Sequence, residues 1–201
     1  MRLVAISAGL LATCFAINVA KAQEVHVQTS LGEFDVALDA AHSPKTVANF
    51  LRYVREGHFD GTMIYRVVPG FVLQMGSYEA SGNARPTHDP IPLESANGLL
   101  NKRGTLSMAR SDDPASATAE FFVNLSDNTT LDPTDGKAPN TTGYAVFGKV
   151  VEGMGVIDTI AAVPLNGKQG PFPDADPSSP VIINKVTVVG DPVPPATPVK
   201  H

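Results

Sequence analysis

The sequence predicts a mainly β protein whose short strands form a closed or nearly closed antiparallel barrel. Many segments with strand-like hydrophobic patterns follow one another, and only two segments have a helical pattern. Stretches rich in glycine and proline connect them. A βαβ sheet would need a helix after nearly every strand, so this pattern favours a barrel. The 201 residues suffice for one packed domain and are short for two.

The first segments predict a strand pair followed by a helix. EVHVQTSLGEFDVALD alternates apolar and polar residues on either side of Leu31-Gly32, as expected of two strands with one solvated face. In HSPKTVANFLRYVREGHF the apolar residues recur at helical spacing. Ser43 is a suitable N-cap, Pro44 suits the first helical position and Gly57 ends the element. We therefore expect a short amphipathic helix that lies on the sheet.

The later segments predict further strands and one more helix. Residues 77–104 are rich in Gly, Pro and Asn, which indicates a long surface excursion. TLSMAR, EFFVNL and GYAVFGKVV have strand patterns. Apolar residues at helical spacing predict a second helix from Gly153 to Ala162, and PVIINKVTVV supplies a last strand.

The two ends of the chain differ from the segment between them. Arg2, the uncharged run 3–20 and the small residues Ala20 and Ala22 have the anatomy of a secretory signal peptide, so we expect residues 1–22 to be cleaved. An uncleaved membrane anchor and a lipoprotein attached through Cys14 are the alternatives. We expect residues 23–190 to form the domain and the proline-rich residues 191–201 to be a disordered tail.

Composition excludes several classes of function. The only cysteine, Cys14, lies in the predicted signal peptide, so the mature chain would have no disulfide and no cysteine nucleophile. Cleavage would remove Arg2 and Lys21 but no acid, leaving 13 basic and 20 acidic residues and a net charge of −7. This balance argues against nucleic acid and anionic membranes as partners. The five histidines are scattered and no phosphate-binding glycine motif is present, so we expect no metal and no cofactor.

The segment MIYRVVPGFVLQMG, residues 63–76, places one arginine and one glutamine among apolar residues. A two-residue turn would put Arg66 opposite Leu73, whereas a three-residue loop over 69–71 makes Arg66 and Gln74 cross-strand neighbours. Only the second register joins the two polar groups. The alternative for Arg66 is an ordinary position at the barrel rim, with its stem packed and its head in water.

Five motifs resemble the cyclophilin family of peptidyl-prolyl isomerases. They are TVANF, YRVVPGFVLQMG, GTLSMAR, EFFVNL and GYAVFGKVVEGMGVID, and they occur in the family's order between Val25 and Val189. The likeness is strongest to the secreted bacterial cyclophilins. It implies a closed eight-stranded antiparallel barrel capped by two short α-helices, and it favours the periplasm as the location of the mature protein.

The resemblance also implies roles for individual residues. Arg66 would be the catalytic arginine, and Gln74 would help to orient both it and the substrate. A proline pocket would be lined by apolar and aromatic side chains, while a neighbouring strand would hold the peptide through its backbone at Ala109 and Arg110. The residues implied to bind substrate are Tyr65, Phe71, Val72, Ala109, Arg110, Glu120, Phe122, Leu131 and Tyr144.

Some positions depart from the family's pattern. Tyr65 replaces a histidine, and Glu120 replaces a glutamine, which brings a charge that could pair with Arg66 or Arg110. Residues 132–143 lengthen a loop at the edge of the implied pocket. Thr130 stands where the cytosolic eukaryotic members have a tryptophan. Because that tryptophan contacts cyclosporin in the family, the resemblance predicts weak inhibition by the drug.

The resemblance predicts a peptidyl-prolyl cis-trans isomerase that assists the folding of exported proteins. Its partners would be proline-containing peptides and unfolded exported chains, with no nucleic acid and no stable membrane association after cleavage, and the protein would be a monomer. One alternative is a cyclophilin-like chaperone or binding module with little turnover. Another is a barrel that binds a small ligand in the manner of a lipocalin, with Arg66 facing an anionic headgroup.

Overall fold

The computed structural model describes residues 23–134, 142–166, 171–172 and 174–191. The predicted signal peptide, residues 135–141 of the long loop and residues 192–201 of the predicted tail lie outside these ranges. Neither α-helix in the described part of the chain is long and apolar enough to cross a membrane.

Eight strands close into one antiparallel barrel, which confirms the predicted fold. The strands are β1 (Glu24–Thr29), β2 (Gly32–Leu38), β3 (Thr62–Val68), β4 (Val72–Glu79), β5 (Thr105–Met108), β6 (Phe121–Asn124), β7 (Val146–Glu152) and β8 (Val181–Val188). They neighbour one another in the order β1-β2-β7-β5-β6-β4-β3-β8, with β8 paired back onto β1. Two helices, α1 (Pro44–Arg55) and α2 (Met154–Ala161), complete the predicted set.

The hairpin of β1 and β2 follows the alternation in its sequence. Its apolar residues point into the core on every second position, and the polar residues between them are half-buried or exposed. The buried apolar side chains are Val25, Val27, Phe34, Val36 and Leu38. Because side chains alternate between the two faces of a strand, this pattern fixes which face of the hairpin lines the barrel interior.

Helix α1 begins at the predicted residue, but its first turn is capped differently from the expectation. The Ser43 hydroxyl donates to the carbonyl of Val146 at 2.7 Å and makes no capping hydrogen bond. The Glu94 carboxylate instead accepts the backbone N–H groups of Lys45 at 3.2 Å and Thr46 at 2.8 Å. A carboxylate at a helix N-terminus satisfies free N–H groups and opposes the positive end of the helix dipole.

Aromatic rings join α1 to the barrel core. The ring of Phe50 on α1 lies 5.3 Å from Phe59, 5.2 Å from Phe121 and 5.1 Å from Phe147, measured between centroids. All four side chains are buried. An eight-stranded barrel is just wide enough for side chains to fill it. These rings occupy the space that a barrel with an internal ligand site would leave open.

Helix α2 packs on β2 at a point where only glycine fits. Gly153 precedes the helix with φ of +81°, and a Cβ atom added there would lie 2.5 Å from the carbonyl oxygen of Glu33. The same atom would lie 2.7 Å from Cα of Phe34. Ile157 and Ile160, one turn further on, are completely buried. The close approach of the two backbones therefore seats the apolar side of α2 on the barrel.

We predict that Gly153→Ala lowers the free energy of unfolding by about 1–3 kcal/mol, because the new methyl group meets the β2 backbone and the left-handed conformation is strained. Gly155→Ala is the matched control, since Gly155 is exposed and a Cβ atom there meets nothing within 4 Å. It should raise stability by about 0.5–1 kcal/mol as alanine replaces glycine in a helix. Urea denaturation measures both; equal stabilities of the two variants would contradict the prediction.

Candidate functional site

The hairpin of β3 and β4 has the register that joins Arg66 to Gln74. Residues 69–71 form a three-residue loop, and Arg66 pairs directly with Gln74 across the two strands. Gly70 at the centre of the loop has φ of +72°, a left-handed conformation that glycine adopts without strain. Of the two registers that the sequence left open, the structure has the three-residue loop, and the two-residue turn that would have put Leu73 opposite Arg66 does not occur.

Three side chains of the site form a row across neighbouring strands. Gln74 pairs with Arg66 on one side and with Phe122 of β6 on the other. Their neighbours along the strands, such as Leu73 and Val123, belong to the main core. Because side chains alternate between faces, the site row of Arg66, Gln74 and Phe122 lies on the outer face of the barrel. The barrel wall, and not its interior, therefore carries the polar groups.

The Arg66 side chain is half-buried and contacts the side chains of Gln74 and Phe172. Its Nη1 donates to Oε1 of Gln74 at 3.1 Å. Its Cζ lies 5.4 Å from the ring centroid of Phe172, close enough for a cation–π contact. Sequence reasoning did not identify Phe172, whose only signal is an aromatic residue in a link of Gly and Pro. The remaining guanidinium N–H groups give Arg66 the capacity to bind a further acceptor.

Tyr65 lies behind the site row because of a β-bulge. The register steps from Ile64 opposite Met75 to Arg66 opposite Gln74, so Tyr65 is an extra residue on β3. A bulge of this kind redirects a side chain that regular alternation would place on the other face. The Tyr65 side chain has 0% exposure. It therefore does not line an open groove, which differs from the expectation that Tyr65 contacts substrate.

Tyr65, Gln74 and Glu120 form a closed set of hydrogen bonds that we call the polar triangle. The Tyr65 hydroxyl donates to Oε2 of Glu120 at 2.6 Å. Nε2 of Gln74 donates to the same oxygen at 3.0 Å and to the Tyr65 hydroxyl at 2.9 Å. Burial, and then the negative charge of Glu120, raise the pKa of Tyr65 far above its usual range. The hydroxyl therefore remains a neutral donor.

The polar triangle corrects the expected partner of Glu120. Within the described ranges the partners of the carboxylate are Tyr65 and Gln74, and neither Arg66 nor Arg110 is among them. The carboxylate is half-buried, so a direct ion pair would have carried a desolvation cost for both charges. Shared hydrogen bonds from two neutral donors compensate that cost for Glu120 alone.

An apolar cluster lies beside the site row and apart from the main core. It contains the six apolar residues that were implied to bind substrate: Phe71, Val72, Ala109, Phe122, Leu131 and Tyr144. The rings of Phe122 and Tyr144 meet edge to face at 5.5 Å. Phe71, Leu131 and Tyr144 are partly exposed, so the cluster is open to solvent on one side. Phe122 belongs to both the cluster and the site row, which places the apolar surface next to Arg66.

The loops around the apolar cluster are held by hydrogen bonds. Nδ2 of Asn128 donates to the carbonyl of Phe71 at 2.8 Å, which fixes the tip of the β3–β4 hairpin. Nδ2 of Asn101 donates to the carbonyl of Leu131 at 3.0 Å. Both asparagines are buried. These contacts position Phe71 and Leu131, two of the cluster members that lie outside strands.

Arg110 holds the segment that carries Tyr144. Its Nε donates to the carbonyl of Gly143 at 3.1 Å, and its Nη2 donates to Oγ1 of Thr142 at 2.9 Å. Its Cζ lies 4.8 Å from the Tyr144 ring centroid. The neighbouring N–H of Ala109 donates to the Glu120 carbonyl at 2.9 Å and is therefore used by the fold. A bound peptide would therefore have to form its hydrogen bonds with other backbone groups of this segment.

No group of three His, Cys, Asp or Glu side chains among the described residues has the arrangement of a metal site. The chemistry that the site can supply is that of a guanidinium, an amide and an open apolar surface. A cation aimed at a place where charge develops stabilises a polarised transition state without proton transfer.

Comparison with known proteins gives one consistent result. The family model described as cyclophilin type peptidyl-prolyl cis-trans isomerase/CLD matches residues 24–188. The peptidyl-prolyl cis-trans isomerase cyp18 of Streptomyces antibioticus is 45% identical over 166 residues, which cover 83% of this chain and 98% of that protein. Peptidyl-prolyl cis-trans isomerase B of Escherichia coli K12 is 43% identical over 164 residues, covering 82% of this chain and 98% of that protein.

Solved structures show the same fold. A cyclophilin type peptidyl-prolyl cis-trans isomerase of Cryptosporidium parvum matches with a TM-score of 0.71 and 23% identity, over 85% of this chain and 99% of that chain. A cyclophilin of Hirschia baltica matches with a TM-score of 0.67 and 20% identity, over 88% of this chain and 77% of that chain. With a family model that spans the barrel and relatives above 40% identity, the chain belongs to the cyclophilin family and is a peptidyl-prolyl cis-trans isomerase.

Proposed function

We propose that this isomerase accelerates X-Pro isomerisation during the folding of exported proteins, with the proline ring in the apolar cluster and the twisted amide stabilised by Arg66. The observation that carries the proposal is the shared position of Phe122, which belongs to the apolar cluster and to the same row as Arg66 and Gln74. A proline bound against Phe122 would present its amide to the guanidinium. The substrates would be proline-containing peptide segments of unfolded exported chains.

Rotation about an X-Pro bond requires no covalent chemistry. The amide must lose its resonance, against a barrier of roughly 18–20 kcal/mol. In the twisted state the nitrogen gains a lone pair and the carbonyl loses its conjugation. A guanidinium directed at the nitrogen or at the rotating carbonyl stabilises the twisted state more than either planar state, and this difference lowers the barrier. Arg66 suits this role because it remains charged and presents several donors in a rigid fork.

The apolar cluster would hold one end of the rotating bond. Proline has a compact apolar ring without an N–H group, so it loses little on entering a surface built from aromatic and aliphatic side chains. The partly exposed side chains of Phe71, Leu131 and Tyr144 surround the buried Phe122. Holding the ring fixed means that rotation moves the residues before proline, past Arg66.

We further propose that the enzyme works as a monomer, without nucleic acid and without stable membrane association. One chain supplies the whole site row and the whole apolar cluster. Residues 23–201 carry 13 basic and 20 acidic side chains, a net charge of −7 that repels polyanions. Light scattering would test the monomeric state. RNA binding measured at several salt concentrations would test the absence of nucleic-acid binding.

Arg66→Ala is predicted to lower kcat/KM by about a hundredfold, the range seen when an electrostatic stabiliser of a transition state is removed. The fold should persist because Arg66 is only half-buried. Arg66→Lys retains the charge but loses the fork, so it should recover a minor part of the activity. The measurement is the cis-to-trans rate of an X-Pro tetrapeptide with each purified protein.

Arg55→Ala is the control for this experiment, since Arg55 is exposed on α1 and pairs with Asp191 at 2.9 Å. Circular dichroism should be the same for all variants. Full turnover by Arg66→Ala would refute the assigned role. No acceleration by the folded wild type would favour a binding module in place of a catalyst.

Phe122→Ala is expected to raise KM by about tenfold or more, because a buried phenylalanine contributes roughly 1.5–3 kcal/mol of apolar contact. Its effect on kcat should be smaller, since Arg66 and Gln74 pair independently of the ring. Val151→Ala removes an exposed apolar side chain of β7 and should leave both constants unchanged. Kinetics over a range of peptide concentrations would show the difference, and an unchanged KM for Phe122→Ala would exclude this residue from the pocket.

Export to the periplasm is proposed from the sequence of residues 1–22, with its basic start, apolar run and small-residue cleavage site. In a Gram-negative host the full chain should appear in the periplasmic fraction with Gln23 as its first residue, as measured by intact mass. Replacing the apolar run by a polar one should retain the protein in the cytoplasm. Recovery of an uncleaved chain in the membrane fraction would favour the anchor alternative.

A further inference from the structure

We infer that Glu120 and Tyr65 are positioning residues that set the orientation of the Gln74 amide and, through it, the direction of Arg66. This inference rests on the proposed catalytic role of Arg66. It concerns two side chains that do not have to touch the substrate. The contact between them is the 2.6 Å hydrogen bond from the Tyr65 hydroxyl to Oε2 of Glu120.

The chemistry of the polar triangle allows one orientation of Gln74. An ionised carboxylate only accepts hydrogen bonds, so Glu120 must face the NH₂ group of Gln74. The Tyr65 hydroxyl uses its single O–H to donate a hydrogen bond to Glu120, so it can only accept from the same NH₂ group. Both N–H bonds of Gln74 are thereby used on one side. Its Oε1 must then point to the other side, where Nη1 of Arg66 donates to it at 3.1 Å.

A neutral residue at position 120 would not impose this orientation. A glutamine there would offer a donor and an acceptor, so the Gln74 amide could sit either way round. In the reversed orientation its NH₂ group would face the guanidinium, and two donors would oppose each other. Arg66 would then lose its partner and sample other directions. The acceptor-only character of Glu120 removes this second state.

The backbone holds the polar triangle in place from two sides. The bulge on β3 turns Tyr65 towards Gln74, and the Tyr65 ring packs edge to face on Tyr78 at 4.7 Å. On the other side, a Cβ atom added to Gly76 of β4 would lie 2.6 Å from the Ala119 carbonyl and 3.1 Å from Cα of Glu120. The absence of a side chain at Gly76 thus lets the Glu120 backbone approach β4. Both partners are fixed before any peptide binds.

Removing the carboxylate should slow turnover without weakening binding. We predict that Glu120→Ala lowers kcat by about tenfold, the effect of one lost hydrogen bond to a charged group. KM should change by less than about twofold, because the apolar cluster does not include Glu120. Glu120→Gln and Tyr65→Phe, which each keep part of the polar triangle, should lower kcat by about threefold. Exchange spectroscopy of an X-Pro peptide at saturating and subsaturating concentrations gives kcat and KM separately.

A double-mutant cycle with Arg66 tests whether the effect passes through the guanidinium. In an Arg66→Ala background, Glu120→Ala should lower the residual rate by less than about twofold, because the group it orients is gone. Glu152→Ala is the matched control, an exposed glutamate on β7 that should leave wild-type kinetics unchanged. Circular dichroism and thermal unfolding establish that each variant is folded. If Glu120→Ala does not fold, the isosteric Glu120→Gln carries the same cycle.

Three outcomes would overturn the inference. Unchanged kcat in Glu120→Ala would mean that the carboxylate does not orient the site. A rise in KM with kcat retained would make Glu120 a substrate contact. An equal loss with and without Arg66 would mean that Glu120 acts independently of the guanidinium. The proposed function fails separately, when Arg66→Ala itself keeps full turnover, so the two failures are distinguishable.

Discussion

The alternation of side chains along β3, β4 and β6 is the constraint on which the site depends. One set of residues fills the barrel, and the other set faces outwards. Since the interior is occupied by Phe121, Phe147 and their neighbours, any bound molecule must use the outer face. The same register that packs Leu73 inwards therefore turns Gln74 outwards, next to Arg66. The register that packs the core is thus the same register that assembles the candidate site.

This arrangement also discriminates between the functions that the sequence left open. A ligand-binding barrel of the lipocalin type needs an interior cavity, and here α1 and the barrel share a continuous aromatic core through Phe50. An arginine that merely reached water at the rim would not need the acceptor that Gln74 provides at 3.1 Å. The chain belongs to the isomerase family, and the open apolar cluster beside Arg66 fits the proposed binding of an extended peptide.

The polar triangle places a charged residue beside the candidate site and engages it through neutral partners. A carboxylate close to a catalytic guanidinium could neutralise it by direct pairing, but Glu120 is engaged by two neutral donors. The guanidinium is consequently not neutralised by Glu120, and in the proposed mechanism it would serve the amide that develops charge as it rotates. The arrangement buries a tyrosine, and a buried hydroxyl is unfavourable unless it forms a hydrogen bond. The bulge on β3 brings the Tyr65 hydroxyl to the carboxylate of Glu120, where it forms that bond.

Sequence by itself determined the strands, both helices and, through the family's motifs, the grouping of the apolar residues from Phe71 to Tyr144. For Arg66 and Gln74 it narrowed the pairing to two registers, and the structure has the one that joins them. Each of these follows from periodicity and turn chemistry within a short window, or from motifs that occur in a known order. Only the tertiary structure decided the partners of Glu120, the helix cap from Glu94 and the place of Phe172 over Arg66. Those contacts join residues that barrel closure brings together from distant parts of the chain, such as the 55 positions between Tyr65 and Glu120. A pattern within a short stretch of sequence does not show which residues from such distant parts of the chain will meet.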